Sequence, residues 1–199
     1  MPTVISHAIV GLTVAHLLRP VARPGSPVGM NKGVGTRAYY LAAAVLPMLP
    51  DLDVIGFHFG IAYGDPLGHR GLTHSLLFAA LLGGLTAWLL RTPTASPRQT
   101  WHLALVMMAL TASHGVLDMA TDAGIGIALF SPIDPGRYFL PWRPIATAYI
   151  GLDGWTVEAV IRVAWSETRW LLLPCVIALA MSAGIRRAIT STKARNADR

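Results

Sequence analysis

The sequence predicts an all-α fold, a polytopic helical bundle embedded in a membrane with about five spans, the first two short or broken. Three observations carry that expectation. Of 199 residues, 53% are hydrophobic and only 13% charged, where a soluble domain usually carries about 25% charged residues. Several apolar runs approach the length that crosses a bilayer. The basic residues lie between those runs and in the tail, the distribution that membrane insertion imposes.

The first apolar segment, Val4–Leu18, is short for a span and interrupted by His7 and His16. No basic residue precedes it, and Arg19 and Arg23 follow it. That order fits an uncleaved first helix better than a signal peptide. The second segment, Ala38–Pro50, is also short; after Asp51 and Asp53 apolar sequence resumes as far as Tyr63. The third, Gly71–Leu90, and the fourth, Trp101–Ala120, are each long enough as helices to cross about 30 Å. The fifth is Trp170–Ile185. Residues 121–169 form an external loop rich in Pro, Arg and aromatics. Within it, Val157, Val160, Ile161, Ala164 and Trp165 have helical spacing, so that piece lies along the interface or extends the fifth helix. Residues 1–187 thus make one membrane-embedded domain, and 188–199 a basic cytoplasmic tail.

Charge selects an orientation. Arg19, Arg23, Lys32, Arg37, Arg91, Arg98, Arg186, Arg187, Lys193, Arg195 and Arg199 fall on one side of a five-span chain. Arg70, Arg137, Arg143, Arg162 and Arg169 fall on the other, with most of the acids. The positive-inside rule puts the N-terminus outside and the tail in the cytoplasm. The net charge of +6 is explained by topology and does not indicate nucleic-acid binding. The single cysteine, Cys175, lies in an apolar run, which excludes a disulfide framework and a thiolate zinc site.

On that map the unusual polar residues converge. His7 is near the outer end of the first helix, Asp51 and Asp53 near that of the second, His69 and His74 at the opening of the third, and His114, Asp118 and Asp122 at the close of the fourth. His114 and Asp118, four apart on a helix, share a face. Imidazole and carboxylate without thiolate suit zinc, with manganese or iron as alternatives. The surplus over one tetrahedral shell suggests two ions, or one ion and a general base. His16 and His102, at inner ends, read as structural, and His58 as interfacial.

"SHAIVG", "PDLD", "HRGLTHS" and "SHGVLDMATDAG", in that order over residues 6–124, resemble the YdjM-like family of LexA-regulated inner-membrane proteins described as metal-dependent hydrolases. The resemblance implies a multi-pass protein of the bacterial inner membrane with hydrolase activity. More distantly, the order His, Asp, His, then His-x-x-x-Asp is similar to the ligand order of zinc-dependent phospholipase C. That likeness implies that His7 and Asp118 share one ion, while Asp53 or Asp51, His69 or His74, His114 and Asp118 hold another. No later His-x-x-x-Glu pair exists here, so the likeness extends to two ions and not to three.

The leading expectation is therefore an outward-facing metallohydrolase acting on a phosphoester such as a phospholipid headgroup, the substrate a site at headgroup depth meets first. Asp51 or Asp122 would act as base, and Arg70, Arg137 and Arg143 would clamp the phosphate. Two alternatives are a transporter for a metal ion or proton and a non-catalytic partner protein in which metal fastens helices. The nearly bare inner halves of the third and fourth helices count against transport.

Overall fold

The computed structural model describes residues 1–19, 35–151 and 153–197, the side chains of 192–197 excepted. Arg23, Lys32 and Arg199, and the side chains of Lys193 and Arg195, lie outside the described residues. Helix α1 is Val4–Leu18 and α2 is Thr36–Val45, continued as a 3-10 helix over Leu46–Phe59. Then follow α3 (Leu76–Leu90), α4 (Pro97–Met119), α5 (Val157–Glu167) and α6 (Leu173–Ala197), the last two joined by a π-turn over Thr168–Leu172.

Local chemistry sets these boundaries. Thr3, Ser75, Ser96 and Thr156 each cap a helix by accepting a hydrogen bond from a backbone N–H in its first turn. Ser96 and Gln99 form a reciprocal capping box with Pro97 at the first helical position. Helix α4 therefore starts before the expected Trp101. Pro47 and Pro50 lack the N–H that an α-helix needs, and the chain tightens to 3-10 geometry where they fall.

Three helical stretches, Thr36–Phe59, Pro97–Met119 and Val157–Ser191, are long and apolar enough to cross a membrane. Helices α1 and α3 are apolar but have 15 residues each, about 22 Å at 1.5 Å per residue. The expected third span of Gly71–Leu90 is thus shortened, because Ser75 caps α3 and residues 69–75 form a loop with one 3-10 turn. The piece at Val157 extends the last helix, and α6 runs through the expected tail to Ala197.

Successive helices run alternately. The start of α1, the Leu46–Phe59 run, the start of α3 and the end of α4 meet at one end of the bundle. At the other end Arg19 donates to Thr36 Oγ1 and Arg186 to the His16 carbonyl, both at 3.2 Å. Between them lies an apolar core of Ala15, Tyr39, Ala43, Leu46, Ala87, Leu103, Val106, Met107 and Leu110. Helices α3 and α4 approach closely: a Cβ on Gly83 would lie 2.4 Å from the Met108 nitrogen, so only glycine fits. The loop after α4 folds over the first end. There Ile127 bridges Tyr138, Thr121 bridges Ile145, and Ala128 N–H donates to the Arg70 carbonyl.

Candidate metal centre

Each polar side chain at that end is placed by a helix terminus or a break. His7 stands on the first turns of α1. Asp51 and Asp53 follow Pro50 in the 3-10 run, where the tighter turn brings both toward the axis of the bundle. His69 and His74 flank the short turn before α3. His114 and Asp118 lie one turn apart on α4 and are fully buried.

Asp51, His74, His114 and Asp118 each offer a ligand atom, and these atoms all lie within 4.8 Å of one another; Asp53, His69 and His74 form a second such group. The hydrogen bonds assign the tautomers. His114 Nδ1–H donates to the Pro47 carbonyl at 2.7 Å. His74 Nδ1 faces the Asp53 carboxylate at 3.3 Å and Thr73 Oγ1 at 3.0 Å. With its Nδ1 proton so engaged, each ring turns an Nε2 lone pair inward, and the two Nε2 atoms face each other 3.0 Å apart. Two lone pairs at that distance repel unless a cation lies beside them. A proton is one such cation. Burial disfavours the His74 imidazolium, but the Asp51 and Asp53 carboxylates outweigh it and raise the ring to about 9. A divalent metal is the other.

Asp51 Oδ1 lies 3.3 Å from His114 Nε2 and 3.7 Å from His74 Nε2. Asp118 reaches two ways: Oδ1 is 3.7 Å from His7 Nε2, and Oδ2 is 3.7 Å from His74 Nε2. His7 stacks on His114, with ring centroids 3.9 Å apart. Among the described residues, both oxygens of Asp51 and Asp118, both nitrogens of His7 and Nε2 of His69 are buried without a hydrogen-bond partner. Leaving such a group unsatisfied costs about 1–3 kcal/mol, more when charged. A metal ion held by this group could meet several of these acceptors at once.

The second layer is made by residues not singled out in the sequence for that purpose. Asp53 accepts from His69 Nδ1 and Thr73 Oγ1, both at 2.7 Å, and so orients the two histidines beside it. Arg70 is fully buried with φ +65, a left-handed conformation that costs roughly 1–2 kcal/mol. Its Nε pairs with Asp118 Oδ2 at 3.1 Å, and its Nη atoms donate to Ala123 O and Thr121 Oγ1, each at 2.9 Å. The loop closes over this guanidinium at Gly124 (φ +98), where a Cβ would lie 2.3 Å from Nη1. Glu167, in the α5–α6 helix, accepts from Thr3 N–H, Thr3 Oγ1 and Ser6 Oγ and ties that helix to α1 one residue before His7.

Four further residues expected at the site, Asp122, Arg70, Arg137 and Arg143, are placed outside the ligand cluster. Helix α4 ends at Met119, so Asp122 does not continue the face of His114 and Asp118. Its half-exposed carboxylate turns to Thr147 and Arg162. Arg70, expected as a phosphate clamp, is fully buried and turns its guanidinium to Asp118, Ala123 and Thr121 within the protein. Arg137 is a strut, donating to the carbonyls of Arg70, Gly64 and Asp65. Arg143 is exposed and lies over the Phe139 ring at 4.5 Å. Of the sequence-predicted residues, His7, Asp51, Asp53, His69, His74, His114 and Asp118 are brought together.

A helical bundle with long apolar spans and an ionisable cluster buried at the helix ends defines a multi-pass membrane protein with a candidate metal centre. The chain belongs to the family described as YdjM inner membrane protein, which matches residues 1–190. It is similar to the inner membrane protein YbcI of Escherichia coli (strain K12), with 35% identity over 181 residues, covering 91% of this chain and 96% of that protein. No solved structure matches it.

Proposed function

We propose that this protein is a membrane-embedded metal-dependent hydrolase that cleaves a phosphoester, with a phospholipid headgroup as substrate and zinc as the first-choice metal. The observation that carries the reading is the pair of inward-facing Nε2 atoms of His74 and His114, flanked by the Asp51 carboxylate, which has no hydrogen-bond partner, and by Asp118, which Arg70 holds from one side. Manganese or iron also suits two imidazoles and two carboxylates. A second ion would take His7, with Asp118 as the shared carboxylate.

A divalent metal supplies a Lewis acid that activates water and polarises a phosphoryl oxygen. The chain's own residues do the rest. The Pro47 carbonyl and Asp53 hold the two rings in the ligating tautomer. Arg70 fixes Asp118 and balances part of the local negative charge. Asp51 has both oxygens free of hydrogen bonds and is placed to accept a proton from water. Leu52, Ile55 and Phe59 are exposed on the same 3-10 run and would rest against lipid beside the site. With Arg19, Arg37, Arg91, Arg98 and Arg186 at the opposite end, the positive-inside rule puts the centre on the periplasmic face and the C-terminus in the cytoplasm.

The apolar core beneath the cluster favours a hydrolase over a transporter, since a conducted ion would need polar groups along its path. The test is headgroup release from phosphatidylglycerol and phosphatidylethanolamine in mixed micelles by the zinc-loaded full chain. Turnover is expected, abolished by chelation and by His114→Ala, and reduced about 10–100-fold by Asp53→Asn. Metal-loaded protein that hydrolyses no phosphoester, yet unfolds on chelation, would instead make the centre a structural fastener.

A further inference from the structure

At the end of the bundle remote from the metal centre, α3 and α4 part to leave a groove of about 370 Å³, lined among others by Gly84, Arg91, Pro97, Thr100, Trp101 and Ala104. That volume is in the range of sites that hold small molecules. Small residues line it: a Cβ on Gly84 would meet nothing within 4 Å, and Ala95 and Ala104 belong to the same lining. The mouth is basic and aromatic. Arg91 is exposed, with its guanidinium 5.8 Å from the centroid of the Trp88 ring. Trp88 is 56% and Trp101 71% exposed. No acidic residue occurs in the sequence between Asp65 and Asp118, so nothing on this hairpin opposes the charge of Arg91 and Arg98.

We propose that this groove holds one anionic phospholipid of the surrounding bilayer, with its phosphate on Arg91 and the upper part of an acyl chain along Gly84 and Ala104. The chemistry of each part selects that occupant. A planar guanidinium binds phosphate oxygens bidentately. A slot floored by Gly and Ala admits a methylene chain where a larger side chain would fill it. Exposed tryptophans at a helix end sit at headgroup depth. Anionic charge is required because the ammonium of a zwitterionic headgroup would meet Arg91 and Arg98 with like charge. The site is independent of the metal centre and of any hydrolysis there.

The test is native mass spectrometry of the delipidated full chain in mild detergent, with phosphatidylglycerol or phosphatidylcholine of identical acyl chains added back. One phosphatidylglycerol is expected to be retained where phosphatidylcholine is not. Arg91→Ala should lower that retention roughly fivefold, the factor equivalent to ~1 kcal/mol per basic residue at an anionic surface. Gly84→Leu should abolish retention, with metal content and melting temperature unchanged. Arg91 is exposed, so Arg91→Ala carries the test alone if Gly84→Leu fails to fold. Equal retention of both lipids, or retention that neither variant changes, would overturn the proposal.

Discussion

The two ends of the bundle solve opposite problems. At the polar end, seven histidines and aspartates from four stretches of chain are packed together with acceptors outnumbering donors. At the apolar end, Ala15, Ala43 and Ala87 let backbones approach, and Leu103, Met107 and Leu110 fill the space. In lipid there is little hydrophobic drive between helices, so the second region coheres by dispersion and close contact. The first coheres through hydrogen bonds, one buried arginine and, on this account, a metal. Packing positions the helices, and the polar end exploits that rigidity at helix termini, where ionisable groups cost less than at the bilayer centre.

The largest expected effect breaks the polar end. Asp118→Ala leaves Arg70 buried without its carboxylate, which should cost about 3–5 kcal/mol and remove bound metal, read by denaturant unfolding and elemental analysis. Next, Leu110→Ala should cost about 2–5 kcal/mol by cavity formation while metal stoichiometry persists. Loss of metal in that variant would show that the two ends are not separable.

A third prediction concerns pH. Because His74 is raised from its ordinary 6.5 to about 9, its imidazolium stabilises the metal-free protein fully below pH 6.5. That contribution is lost as pH rises through about 9. Melting temperatures of chelated protein should fall across this window, and those of zinc-loaded protein should not, since metal occupies the same lone pair. The smallest effect is at Asp122. Partial burial works against ionisation there, but the two hydrogen bonds from Thr147, with Arg162, hold the carboxyl below its usual range. Its contribution is therefore present at neutral pH and fades as pH falls below about 4. Being exposed and screened, Asp122→Asn should change stability by no more than about 1 kcal/mol and leave metal content intact.

Much of this was legible in the sequence, and the reason differs by region. Long apolar runs specify helices, and α1 falls on the expected Val4–Leu18. The break in the second helix is written in Pro47 and Pro50. The convergence of His7, Asp51, His74, His114 and Asp118 follows from alternation of helix direction once the helix ends are known. What was not legible depended on a terminus or on a fold-back. Asp122 continues the i, i+4 series of His114 and Asp118 on paper, but α4 stops at Met119. Arg70 stands next to His69 with no signal that its side chain turns inward; only the positive φ and the closure at Gly124 reveal it. Glu167 lies far from Thr3 in sequence, and nothing local foretells their contact. The capping box at Ser96–Gln99 was readable and sets the start of α4.

The most direct measurement is the metal content of the detergent-purified full chain, by elemental analysis, beside the same determination for His114→Ala. One to two equivalents of a divalent transition metal are expected in the unaltered chain, zinc foremost, falling sharply in the variant, with a lowered melting temperature on chelation. Folded protein that carries no such metal, takes none up, and melts at the same temperature with and without chelator would contradict it.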